Sequence, residues 1–126
     1  MTEVPDGSDP VALANWLFDL ARAGDADRLA AYVDAGAPVD LTDADGNTLL
    51  MLGAYHDQVA VVRALVERGA DPNALNGRGQ SPLAGAVFKQ ADEVIGALVE
   101  AGADPDAGTP SARQTALMFG RADLFG

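Results

Sequence analysis

Residues 43–74 read DADGNTLLMLGAYHDQVAVVRALVERGADPNA, and residues 76–107 read NGRGQSPLAGAVFKQADEVIGALVEAGADPDA. The two segments align at a fixed offset of 33 positions. Gly46 meets Gly79, Thr48 meets Ser81, Leu50 meets Leu83, and Val61-Val62 meets Val94-Ile95. Ala64-Leu65-Val66-Glu67 returns as Ala97-Leu98-Val99-Glu100, and Gly69-Ala70-Asp71-Pro72 as Gly102-Ala103-Asp104-Pro105. One period held over a whole supersecondary unit marks a repeat architecture.

Each unit spells out its own local structure. Thr48 and Ser81 have hydroxyls suited to satisfying orphan backbone donors, so each is expected to cap a helix of about eight residues. Second helices are expected over about 59–68 and 92–101. Their apolar residues, Val61, Val62, Leu65 and Val66 and then Val94, Ile95, Leu98 and Val99, form an i, i+1, i+4, i+5 stripe that demands burial. Gly69 and Gly102 stop these helices where a left-handed residue is wanted. The polar, Gly-rich residues that follow predict hairpin-like fingers, tipped near Asp45-Gly46 and Arg78-Gly79.

Working outward, residues 1–8 are expected to be a flexible tail. Asp9-Pro10 then opens a helix, with Asp as the cap and Pro at the first helical position. Val11, Leu13, Trp16, Leu17 and Leu20 are expected on its apolar face, and Gly24 ends it. A second helix, about Ala26–Ala35, should turn Leu29, Tyr32 and Val33 inward and stop at Gly36. This first unit is atypical, since Arg28 stands where Val61 and Val94 stand later, as suits a unit with a free side. At the other end, Thr115-Ala116-Leu117-Met118 restates the first-helix pattern after a finger with one extra residue. The domain is thus expected to fill residues 9–126, with repeats at about 10–42, 43–75 and 76–108 and a partial unit at 109–126.

At 126 residues the chain makes one domain. Apolar residues are 48% and charged residues 21%, as in ordinary folded proteins. The net charge of −11, from 19 acidic and 8 basic side chains, disfavours nucleic acid and anionic membrane as partners. A basic protein partner gains from the same field. Without cysteine there are no disulfides, thiolate chemistry or Cys-type zinc sites. The first ten residues have neither the basic region nor the apolar stretch of a secretory signal. No apolar run approaches the roughly 18 residues of a membrane span. A cytoplasmic protein is the expectation.

The pattern Asp-x-x-Gly-x-Thr-x-Leu, a polar break, then Val-Val-x-x-Leu-Val-x-x-Gly-Ala-Asp-x-Asn-Ala resembles the ankyrin repeat. The resemblance covers residues 10–126 and is strongest over 43–107. It implies an all-α solenoid of stacked antiparallel helix pairs with projecting fingers, binding another protein through its concave face. The family's Thr-Pro-Leu-His is replaced by Thr48-Leu49-Leu50-Met51, Ser81-Pro82-Leu83-Ala84 and Thr115-Ala116-Leu117-Met118. The histidine that ties neighbouring repeats is therefore missing, and a stack held more by apolar contact is expected.

Signals for catalysis are weak. His56 is the only histidine, and Tyr55 and Asp57 beside it are chain neighbours rather than a converging site. Asp43-Ala44-Asp45-Gly46-Asn47 starts like a calcium loop, but the twelfth position is Ala54, where that loop needs a bidentate Glu. Gly77-Arg78-Gly79 reads as turn glycines rather than an anion nest. Most Asp residues fall at caps and turns. No enzyme, cofactor or metal site is expected.

Binding has better support, because repeats place residues one period apart side by side. Arg22, Tyr55 and Phe88 form one row at the exposed end of the first helices; Ala23, His56 and Lys89 form the next. The finger tips add Asp45, Asn47, Arg78 and Gln80. Exposed aromatic and Arg residues are what interface centres are enriched in. The alternative is a self-assembling protein whose incomplete last unit stacks on another copy through Leu117, Phe119, Leu124 and Phe125.

Overall fold

A computed structural model describes residues 9–125, so the tail expected at 1–8 lies outside the described residues. Among the described residues seven helices follow one another: α1 Pro10–Ala23, α2 Ala26–Asp34, α3 Leu49–Tyr55, α4 Val59–Glu67, α5 Pro82–Phe88, α6 Asp92–Glu100 and α7 Ala112–Met118. A short 3-10 turn, Ala122–Phe125, closes the described chain. The first helices α1, α3, α5 and α7 pack in sequence as one layer, and the second helices α2, α4 and α6 as another. No strand occurs among the described residues; the first finger is pinched by an isolated antiparallel bridge between Thr42 and Thr48. The all-α solenoid of about three repeats is the observed architecture.

The caps act as the sequence predicts. Asp9 Oδ1 accepts from the backbone N–H of Val11 at 3.1 Å and of Ala12 at 3.2 Å. Thr48 Oγ1 accepts from Met51 N–H, and Ser81 Oγ from Ala84 N–H, each at 3.0 Å. Each bond satisfies a donor that the first helical turn leaves without a partner.

The two helix layers close over a continuous core. Leu50, Leu65, Leu83 and Leu98 have no exposed surface, and neither do Val61, Val62 and Val94. Burying such a side chain contributes about 1.5–3 kcal/mol each, so these residues hold the stack together. Polar ties run beside them. Asp40 Oδ1 accepts from Asp71 N–H at 3.0 Å, and one repeat on Asn73 Oδ1 accepts from Asp104 N–H at 2.7 Å. Gln58 Nε2 donates to the Arg22 carbonyl at 2.9 Å, joining the second unit to the end of α1. These side chains add polar ties between neighbouring repeats beside the apolar contact.

Four expectations need correction. Val11 is 70% exposed; it sits two positions before Leu13, more than half a helical turn from that apolar stripe. Val99 is 47% exposed although it completes the α6 stripe. Its counterpart Val66 is half-buried because α6 packs beside α4, whereas no further second helix follows α6 among the described residues. The last first-helix begins earlier than the Thr115 register requires. Ser111 is its cap: Ser111 Oγ accepts from Gln114 N–H at 3.1 Å, and Gln114 Oε1 accepts from Ser111 N–H at 2.8 Å. This reciprocal pair outcompetes Thr115, which lies buried inside α7 with its hydroxyl on the Ser111 carbonyl. The third finger is accordingly shorter than its predecessors, not longer. Finally, Leu124 and Phe125 do not project but lie half-buried against the core.

Candidate functional site

The fingers stack because glycine lets their backbones touch. Gly77 N–H donates to the Asp45 carbonyl at 2.8 Å, and Thr109 N–H to the Gly79 carbonyl at 2.9 Å. A Cβ at Gly77 would stand 2.9 Å from Asp45 O, and one at Gly46 would stand 2.8 Å from Gly77 N. Only residues without side chains allow this approach. Asn76 adds a side-chain tie across the same joint, with Nδ2 donating to Asn47 Oδ1 at 2.9 Å and to Gln80 Oε1 at 2.8 Å.

Between these fingers and the first helices runs a two-part groove. One part, of about 280 Å³, lies over α3, α5 and α7. Its walls include Met51, Tyr55, Ala84, Phe88 and Met118, with Gln80 at the finger side. The other, of about 240 Å³, lies against the first two finger tips, with Asp45, Asn47, Asn76 and Arg78 on its wall. Met51, Tyr55 and Gln80 border both parts. Tyr55 and Phe88 are 42% and 54% exposed, large values for aromatic side chains. Gly85 keeps the floor between them low: a Cβ there would come within 3.6 Å of the Tyr55 ring.

The expected site residues therefore divide. Asp45, Asn47, Tyr55, Arg78, Gln80 and Phe88 all line this groove. Lys89 adjoins it, its Nζ 4.9 Å from the centre of the Tyr55 ring, a cation–π distance. His56 stands beside Tyr55 with the two rings edge to face, centroids 5.8 Å apart. Partial desolvation, then the charges of Arg22 and Lys89, hold the His56 pKa below the ordinary histidine value. Arg22 is near His56 but outside the groove lining, its guanidinium 3.1 Å from Asp19. Arg22 therefore shapes the charge at this end without contributing to the wall.

Sequence reading missed Met51 and Ala84, one helical turn before Tyr55 and Phe88. That i, i+4 spacing puts them on the same helix face, so following the face would have found them. Met118 and Pro110 were hidden by the misread start of α7. Phe119 packs edge to face on Phe88, centroids 5.7 Å apart, and extends the aromatic row toward α7.

Among the described residues no three His, Asp or Glu side chains cluster to hold a metal ion. Nor is any described helix long and apolar enough to cross a membrane. The groove offers an apolar floor, amide and guanidinium groups at one edge, and an ammonium at the other. Such a surface is suited to recognition.

Comparison with known proteins agrees with this architecture. The family model described as ankyrin repeats (3 copies) matches residues 17–109, most of the chain. A Pseudomonas aeruginosa protein described as an ankyrin repeat protein is 45% identical over 47 residues. That alignment covers 37% of this chain and 28% of the relative, so the chain matches well under two thirds of that protein's length.

Proposed function

The chain belongs to the ankyrin-repeat family, and from that premise we propose that it is a non-catalytic module binding a partner protein through the groove and finger tips. Ankyrin repeats generally mediate protein–protein interaction. One observation carries the specific reading: Tyr55 of α3 and Phe88 of α5, both well exposed, line one groove together with finger residues Asp45, Asn47, Arg78 and Gln80. Exposed aromatic side chains in a concave, partly desolvated setting are the anchors that dominate interface energetics. At long range, the net charge of −11 steers basic surfaces toward the molecule as a whole. The domain that performs this binding spans residues 9–126.

The test is affinity capture from a lysate of the source organism, run with the wild type and with Tyr55→Ala, Phe88→Ala in parallel. Helical circular dichroism should be unchanged, since both side chains are exposed, while capture is lost. Undiminished capture by the folded double variant rules these residues out as anchors.

A second reading, self-assembly through the last unit, draws on Leu117 at 61% exposure. Its support is thinner than the sequence suggested: Phe119 is engaged with Phe88, and Leu124 and Phe125 lie against the core. Light scattering over a range of concentrations separates the two readings, because self-assembly requires a mass that rises with concentration.

A further inference from the structure

In a strongly acidic molecule the groove lining is close to neutral, with Arg78 against Asp45, and an unpaired Lys89 adjoins it. Five of the eight basic residues, Arg22, Arg28, Arg68, Arg113 and Arg121, are paired with carboxylates. Among the described residues only Arg63, Arg78 and Lys89 have no carboxylate within 4.0 Å. In a chain with 19 acidic side chains against 8 basic ones, an unpaired cation is the unusual state. Two of these three cations are at the groove: Arg78 in its wall, Lys89 over Tyr55. Six acidic side chains, Asp27, Asp34, Glu67, Asp92, Glu93 and Glu100, are on the second helices, while Asp43 accepts from Asn47 in the first finger. Among the described residues Asp45 is the only carboxylate lining either part of the groove, and it stands at the finger end.

We propose that the groove takes an extended segment of a partner protein that carries a large apolar side chain beside an Asp or Glu. The apolar side chain lies on the floor between Tyr55 and Phe88, and the carboxylate faces the Lys89 ammonium at the helix-end rim. This rests on the groove being the docking surface, as argued above, and adds the chemistry of what docks. The long-range field and the local field then play different parts. At physiological salt, interactions between exposed charges are largely screened beyond about 8 Å, so a segment already in the groove senses Lys89 at one rim and the Arg78–Asp45 pair of opposite charges at the finger end more than the distant acids. Complementary charge at a rim sets which segment fits, while apolar burial supplies most of the affinity. Lys89 is suited to this because it is already held over an aromatic ring, which fixes its position without neutralising it.

The experiment uses three pools of short fluorescein-labelled synthetic peptides, each with Leu, Phe or Trp at the centre. Flanking positions are Asp or Glu in one pool, Lys or Arg in the second, and Ser or Gln in the third. Binding is read by fluorescence anisotropy with the wild type, Lys89→Glu, and the Tyr55→Ala, Phe88→Ala double variant. The acidic pool is expected to bind the wild type most tightly, to lose about tenfold in affinity with Lys89→Glu, and to lose binding with the double variant. Because His56 is the only histidine, its imidazole NMR signal gives a second readout: the acidic pool should raise its pKa. If the basic pool binds as tightly as the acidic one, and that binding is lost in the double variant, the charge assignment is overturned while the docking surface stands. If the acidic pool binds in the groove but ignores Lys89→Glu, the assignment to Lys89 is likewise overturned. If no pool shows binding that depends on Tyr55 and Phe88, both the assignment and the docking surface are overturned.

Discussion

Lys89, the first residue after α5, holds its ammonium 4.9 Å from the centre of the Tyr55 ring at the end of α3. The contact crosses from one repeat to the preceding one. It joins the rows that the repeat period sets side by side, and it places a charge at the rim of an apolar floor. Stacking therefore creates a surface that neither unit has alone.

The charge at that rim is measurable through His56. Desolvation is the largest cause of its lowered pKa, followed by Arg22 and Lys89. Removing either charge while keeping the side-chain bulk, by Lys89→Met or Arg22→Met, should raise the His56 pKa toward the ordinary value of about 6.5, with desolvation keeping it somewhat below. An NMR titration of the imidazole reads this directly. An unchanged or lower pKa in both variants would show that the two cations do not sit against His56 as described. The sign for stability follows. With a lowered folded-state pKa, the unfolded chain binds the proton more readily, so this site's contribution is present above about pH 6.5 and lost as the pH falls.

Leu98 and Val99 are chain neighbours with opposite fates: Leu98 has no exposed surface, while Val99 is 47% exposed. Leu98→Ala should cost roughly 2–5 kcal/mol, as for a core truncation that leaves a cavity. Val99→Ala should stay within about 0.5 kcal/mol. Urea unfolding of the two variants checks both values. A loss below about 1 kcal/mol for Leu98→Ala is too small for the packing described.

Two glycines should respond with opposite signs to the same substitution. At Gly77 a Cβ would lie 2.9 Å from the Asp45 carbonyl oxygen, which already accepts the Gly77 N–H. That neighbour is backbone and cannot rotate away, so Gly77→Ala should cost roughly 1–3 kcal/mol and loosen the finger joint. Gly96, in the body of α6, has nothing within 4 Å of its would-be Cβ. Gly96→Ala should stabilise by about 0.4–1 kcal/mol, mainly by restricting the unfolded chain. Thermal unfolding midpoints that moved the same way for both would contradict the finger geometry.

Much of this architecture was legible because each repeat writes its own punctuation. Thr48 and Ser81 cap the first helices, Gly69 and Gly102 follow the ends of the second, and Leu65 and Leu98 return at one spacing, so the helix pairs could be placed from residue types alone. What stayed hidden depends on neighbours. Val99 reads like a core residue because a sequence pattern does not reveal that no second helix packs against it among the described residues. The shortened third finger defeated the fixed period, although Ser111 followed by Gln114 three residues later was a signal for the true cap. Met51 and Ala84 were passed over because rows were drawn only at the helix ends. The ties made by Asp40, Gln58 and Asn73 depend on backbone groups of the adjoining repeat, which no local pattern shows.

The docking surface itself is tested most directly by site-specific photo-cross-linking in a lysate of the source organism. A photoreactive phenylalanine analogue is placed at Phe88 in the groove or, as a control, at Glu93, exposed on α6 away from it. A partner adduct formed from position 88 and absent from position 93 is the predicted result. An adduct from position 93 with none from position 88 would contradict the claim that stacked repeats build their binding face between Tyr55 and Phe88.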